Sequence, residues 1–156
     1  MRPATRSATL ADVPAILALE RSAASAAHWP AEEYERLVET GVVLVAEQAD
    51  AEQAGSLCGL VCAKVVVGEW EVENVVVAAE FLRQGIAARL MGALLQQAEK
   101  SAVSRILLEV RESNLPARRL YEKHGFREAG RRSRYYNSPL EDAILYERRC
   151  VSAKPA

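Results

Sequence analysis

Residues 69–100 constrain the fold more than any other stretch, because they read as strand, loop and helix in direct succession. The stretch opens E-W-E-V-E-N-V-V-V, where Val72, Val75, Val76 and Val77 make the β-branched run of a buried strand. It passes through A-A-E-F-L-R-Q-G-I-A-A and becomes A-R-L-M-G-A-L-L-Q-Q-A-E-K, which is rich in helix formers. Gly85 stands at the junction, where the backbone must adopt φ > 0 or come close to another group. A glycine loop feeding a helix N-terminus leaves N–H groups without intrahelical partners and points the positive end of the helix dipole outward. Such an end suits an anion, phosphate above all; a lone glycine before a helix is also the mark of an ordinary tight turn.

The chain around this stretch supplies a complete α/β domain. Residues 2–8 predict an edge strand, with Pro3 tolerable near its start. Thr9 or Asp12 can cap a helix running to Ser25, with Val13, Ile16, Leu17 and Leu19 as its apolar stripe. A second helix follows H-W-P, with Pro30 near its first position and Glu32 and Glu33 in the first turn. Gly41 stops it. Then come the strand V-V-L-V-A-E, a polar turn over 48–55, and a strand over 56–67 that turns at Val67–Gly68 into the strand of residues 69–77. After the helix of residues 87–100 the sequence predicts the strand S-R-I-L-L-E-V-R, a short helix opened by Pro116 and closed by Gly125, and two strands over 126–135 and 141–149. The order βααβββαβαββ has no internal repeat and no linker. It predicts one domain over residues 1–150, a mixed sheet flanked by helices, and a frayed tail at 151–156.

Composition excludes several function classes. The formal net charge is −1, so no overall field recruits nucleic acid or an anionic membrane, and affinity for an anionic cofactor must come from local geometry. Cys58, Cys62 and Cys150 lack paired metal-ligand spacing and read as reduced thiols packed as small hydrophobes, with no metal site. Arg2 and Arg6 are not followed by an apolar segment, and no run approaches a membrane span, so a cytoplasmic protein is expected.

Alternation along residues 69–74 places Glu69, Glu71 and Glu73 on one strand face and Trp70, Val72 and Asn74 on the other. Three carboxylates on one face form either a solvated edge or the wall of an acidic cleft suited to a cationic amine. His28 lies at a loop with no Ser or Cys motif nearby, and reads as structural. Arg131, Arg132 and Arg134 with Tyr135 and Tyr136 form too short a basic run for RNA and read as the rim of a site or an edge strand.

The stretch R-x-G-x-A after V-V-V, followed by L-L-E-V-R-E-S-N-L-P-A-R-R-L-Y-E-K-H-G-F, resembles the GNAT family of acetyl-CoA-dependent N-acetyltransferases, over nearly the whole chain. The resemblance implies a mostly antiparallel mixed sheet, with acetyl-CoA as cosubstrate. It implies that the backbone of Val75, Val76 and Val77 pairs with the pantetheine arm, and that Arg83, Gln84, Gly85, Ala87 and Ala88 bind the pyrophosphate. The family's loop pattern is Q/R-x-x-G-x-G/A, and Leu82 departs from it in the first position. That change removes a polar group and leaves the amide cradle.

Within the family, L-E-V-R-E-S-N and the ending R-R-x-x-Y-Y, Pro, E-D-A-I are similar to the RimI-type enzymes, which acetylate the N-terminal alanine of a small-subunit ribosomal protein. The H-W-P-A-E-E-Y loop is similar too. This implies Glu109 as general base, Tyr121 as general acid and Asn114 as a pantetheine contact. The partner so implied is a protein N-terminus, with a monomer or weak homodimer as the working form. Two alternatives stay open: acetylation of a small amine such as a polyamine, amino acid or antibiotic, and a non-catalytic acyl-CoA-binding domain.

Overall fold

The computed structural model describes residues 3–23, 28–48 and 56–150. The elements are β1 (Ala4–Ser7), α1 (Val13–Ser22), α2 (Ala31–Thr40), β2 (Val42–Glu47), β3 (Leu57–Val66), β4 (Glu69–Val77), α3 (Ile86–Lys100), β5 (Arg105–Arg111), α4 (Leu115–Lys123), β6 (Arg127–Tyr136) and β7 (Glu141–Arg149). This is the expected order. α1 ends at Ser22, before the expected Ser25, which lies outside the described residues, as do most of the 48–55 turn and all of 151–156. Pro30 caps α2 in extended backbone, one position ahead of the first turn. Asp12 accepts the Thr9 N–H at 2.7 Å and pairs with Arg6, so the two expected capping residues close the 3-10 turn Leu10–Asp12 ahead of α1, while α1 itself has Asp12 at its N-cap without a side-chain bond among the described residues.

Among the described residues seven strands form one sheet in the order β1-β2-β3-β4-β5-β7-β6. Only β4 and β5 run parallel, so the sheet is mixed and mostly antiparallel. Helices cover both faces. On one face α1 and α2 bring Val13, Ile16, Leu19, Tyr34 and Leu37 onto Val43, Val45, Leu60 and Val76. On the other, α3 and α4 bring Ile86, Leu90, Met91, Leu94 and Tyr121 onto Val61, Trp70, Ile106, Leu108 and Ile144. Leu17, expected in the α1 stripe, is half-buried at the margin of its core.

Two details of this sheet position the site. The first is the close seat of α3: a Cβ on Gly59 would lie 2.9 Å from Ile86 Cγ2 and 3.0 Å from Leu90 Cδ1, so glycine lets the first turns of α3 close onto β3. The second is a bulge in β4. Cys62 pairs with Asn74 and Ala63 with Val72, which leaves Glu73 as the extra residue. The bulge overturns the simple alternation expected for residues 69–74. Trp70 and Val72 face α3, but Asn74 bonds to Tyr34 on the α2 side, and Val75 and Val77 return to the α3 face. A one-residue insertion in a strand exchanges the faces of everything beyond it.

Candidate active site

The loop into α3 begins with a 3-10 turn, Ala79–Phe81, and continues through Leu82 to Gly85. Arg83 and Gly85 both take positive φ, 65° and 79°. Gly85 is the N-cap of α3 and no side chain caps this end, so the first amides of the helix face outward. A Cβ on Gly85 would meet no heavy atom within 4 Å, so the glycine is required by its backbone angle and not by packing. Arg83 and Gln84 are exposed, while Ala87 and Ala88 are half-buried in the first turn and too small to cover the amides. Leu82 is 56% exposed, an apolar side chain on the surface of the loop. Open space, a helix N-terminus and the Arg83 guanidinium, which has no ion partner among the described residues, fit a pyrophosphate.

β4 leads straight into this loop. On one edge Val75, Val76 and Val77 pair with Val61, Leu60 and Gly59 of β3. On the other edge the parallel ladder to β5 consists of Glu69–Arg105, Trp70–Ile106 and Glu71–Leu107, while β4 continues to Val77 and β5 to Arg111. The two strands therefore splay apart beyond Glu71. The backbone of residues 72–77 faces that opening, as an extended arm with amide groups would require.

Glu109 and Tyr121 lie on opposite faces of β5. Leu108 and Val110 point into the core that contains Tyr121, so Glu109 between them points to the α1–α2 side. Glu109 Oε2 accepts from Arg132 Nε at 2.6 Å. The Glu109 carboxylate beside Tyr135 also holds the phenol pKa above its ordinary value. A shift of register between Arg132 and Tyr136, with φ 52° at Arg134, turns this end of β6 toward Glu109. The Arg-Tyr run is thus an edge strand whose end also rims the site.

Tyr121 is 7% exposed and packs edge-on against Phe126, with ring centroids 5.9 Å apart, and against Tyr146 at 6.1 Å. Burial, with a smaller contribution from Tyr136, pushes its pKa up to about 12. Tyr136 is itself raised by burial and then by Glu109, so it neighbours both expected catalytic groups. Asn114 caps α4: its Oδ1 accepts the Ala117 N–H at 3.3 Å. The residue expected to touch pantetheine therefore also holds the helix that carries Tyr121.

Glu73, on the bulge, has its carboxyl pKa raised by burial, then by Glu71, with Glu109 and Glu33 adding to the effect. An acidic wall thus lines the α1–α2 side of the opening. The same side contains two residues that the sequence reading did not single out, Glu20 and Tyr34, which bond to each other at 2.6 Å. Glu20 falls on the stripe spacing of Val13 and Ile16, and a charged residue at that position was the available signal. His28 Nδ1 sits 3.7 Å from Glu20 Oε1. Among the described residues no cluster of three or more His, Cys, Asp or Glu could hold a metal, and no helix is long and apolar enough to cross a membrane.

A profile of the Acetyltransferase (GNAT) family matches residues 12–126. The [ribosomal protein bS18]-alanine N-acetyltransferase of Escherichia coli strain K12 is 38% identical over 95 residues, 60% of this chain and 64% of that enzyme. The enzyme of the same description from Haemophilus ducreyi is 34% identical over 97 residues, 60% of this chain and 66% of the relative. The matched stretch spans under two thirds of these relatives' own length. The crystal structure of the ribosomal-protein-S18-alanine N-acetyltransferase from Escherichia coli superposes with a TM-score of 0.86 at 29% identity, covering 97% of this chain and 96% of that one. Arabidopsis thaliana NAA60 in complex with a bisubstrate analogue superposes at 0.84 and 20% identity, covering 96% and 99%, a likeness of fold alone.

Proposed function

Since this chain belongs to the Acetyltransferase (GNAT) family, we propose that it is an acetyl-CoA-dependent N-acetyltransferase acting on a protein N-terminus. The substrate class we assign is the N-terminal alanine of a small-subunit ribosomal protein, supported by a relative 38% identical over 95 residues that is named a [ribosomal protein bS18]-alanine N-acetyltransferase. The strongest support is the splay of β4 from β5, which opens beside the Gly85 loop and has Glu109 on one side and Tyr121 on the other. On this reading the protein works in the cytoplasm as a monomer or weak homodimer, without direct nucleic-acid or membrane contact.

Bound acetyl-CoA supplies the acetyl group as an activated thioester. Arg83, Gln84, Gly85, Ala87 and Ala88 would hold its pyrophosphate, and the backbone of Val75, Val76 and Val77 with Asn114 its arm. The acceptor attacks only as a neutral amine. An α-amino group has a pKa of about 7.7–8.0, so roughly a tenth is neutral at pH 7, while a lysine side chain is roughly 300 times scarcer in that form. Glu109, held by Arg132, takes the proton from the acceptor, directly or through water. Tyr121 donates a hydrogen bond to the departing sulfur. With its pKa near 12, full transfer to a thiolate of pKa about 8.5 is uphill by roughly 5 kcal/mol, so hydrogen bonding and not proton transfer is its contribution.

This has a consequence for pH. The Tyr121 hydroxyl is the donor in its neutral form, and raising its pKa extends that form upward, to about 12. The rate should therefore climb as the acceptor amine deprotonates through about pH 8 and then stay level to about pH 10, with no falling limb near the ordinary tyrosine value. A fall centred near pH 10 in a stopped assay, with the fold intact by circular dichroism, would remove Tyr121 from this role.

The acidic wall of Glu71 and Glu73 favours a cationic N-terminus followed by basic residues. The rate of CoA thiol release should rank a free N-terminal alanine peptide with downstream Arg first, the same peptide with downstream acidic residues second, and lysine side chains last. Added salt should erode the first preference, because charge attraction is screened. The same wall supports a second reading, a small polyamine acceptor. Rapid acetylation of a polyamine with none of any peptide would establish that reading in place of the first.

A further inference from the structure

The two polar side chains that the described residues bury, Glu20 at 2% exposure and Asn74 at 8%, meet through one hydroxyl. Tyr34, fully buried on α2, donates to Glu20 Oε2 at 2.6 Å and accepts from Asn74 Nδ2 at 3.1 Å. Glu20 Oε2 also accepts the Trp29 N–H at 3.0 Å, and the Trp29 ring lies 5.4 Å from that of Tyr34. Each of these bonds joins a different segment: α1, the stretch before α2, α2 itself, and β4 directly after its bulge. A buried carboxylate is unfavourable unless it is fully bonded, and an apolar set of the same shape would hold a core as well or better. What the polar chain adds is a fixed geometry, because the Tyr34 hydroxyl has one proton to give and its partners determine where it goes.

The segments it ties are those of the acceptor side. Glu109 points to the α1–α2 face, and Glu33, next to Tyr34, reaches the field of Glu73 on the bulge. The Gly85 loop and α3 lie beyond β4, outside this network. We propose that Glu20 and Tyr34 are positioning residues for the acceptor: they hold the His28–Trp29 segment and the β4 bulge in place, so that acceptor binding depends on them and acetyl-CoA binding does not. This rests on the acetyltransferase reading, and it names the residues that shape the acceptor side of that site.

Tyr34→Phe removes both links of the hydroxyl and keeps the ring. It should raise the KM for the acceptor about tenfold while kcat changes less than about threefold and the Kd for acetyl-CoA less than about twofold. Glu20→Gln keeps an acceptor oxygen for Tyr34 and Trp29 and should stay near wild type, whereas Glu20→Ala should behave like Tyr34→Phe. Acrylamide quenching of tryptophan fluorescence supplies a readout without turnover: Trp70 is buried in the opposite core, so increased quenching in Tyr34→Phe reports a released Trp29. Acceptor and acetyl-CoA parameters that weaken together, or a lower Tm with unchanged KM and unchanged quenching, would overturn the proposal. A wild-type protein that acetylates no N-terminal peptide would instead refute the substrate reading. The KM ratio is then taken with the amine it does acetylate, and with no such amine the quenching and acetyl-CoA affinity decide.

Discussion

Tyr121→Phe is expected to slow turnover by about 10²–10⁴-fold while acetyl-CoA still binds. The ring is held by Phe126 and Tyr146, and phenylalanine preserves both contacts. Among the described residues no hydrogen bond engages the Tyr121 hydroxyl, so removing it breaks nothing in the fold. The loss therefore falls on the donor to the leaving sulfur, a group needed most as charge develops there. Glu109→Gln should show a loss of similar size for a different reason. Glutamine can still accept from Arg132 but cannot take a proton from the acceptor. The comparison also tests the neighbouring carboxylates. If Glu109→Gln keeps a near-normal rate, the base is Glu71 or Glu73, of which Glu73 has its proton affinity raised by burial and by Glu71.

Gly85→Val is expected to abolish the stabilisation that CoA confers. At a concentration of 100 Kd a ligand that binds only the folded state adds about 2.7 kcal/mol, or roughly 5–10 °C in Tm for a domain of this size. Gly85 sits at φ 79°, a region closed to a β-branched residue, so valine must distort the turn that presents the first amides of α3. The surrounding space is open, so the substitution clashes with no packed atom and most of the fold survives. A variant that folds, with an unchanged CoA-induced shift in thermal melting, would place the pyrophosphate elsewhere.

The order of elements was legible because glycine and proline punctuate strong apolar periodicities: Gly41 after α2, Gly68 between β3 and β4, Pro116 in α4. The Gly85 loop was legible for the same reason. The faces of β4 were not, since a bulge at Glu73 arises from how β3 and β4 pair, and alternation within one strand does not encode it. The splay of β4 and β5 is likewise a long-range property of the sheet. Glu109 and Tyr121 came from likeness to a family, and their neighbours could not have come from local pattern. Arg132 reaches Glu109 through an irregularity in β6, which also brings Tyr135 and Tyr136 near enough for that carboxylate to raise their phenol pKa values. Glu20 differs, because its place on the apolar stripe of α1 was visible and pointed to a bonded buried carboxylate.

The most direct test of N-terminal acetyl transfer uses one peptide with a free N-terminal alanine, a downstream arginine and an internal lysine. It is incubated with acetyl-CoA and the protein near neutral pH, and tandem mass spectrometry then locates the acetyl group. The expected product carries it on the alanine α-nitrogen, with the lysine unmodified and no product from Tyr121→Phe on the same timescale. Acetyl found mainly on the lysine ε-nitrogen, or an unmodified peptide beside a rapidly acetylated small amine, would contradict the assignment.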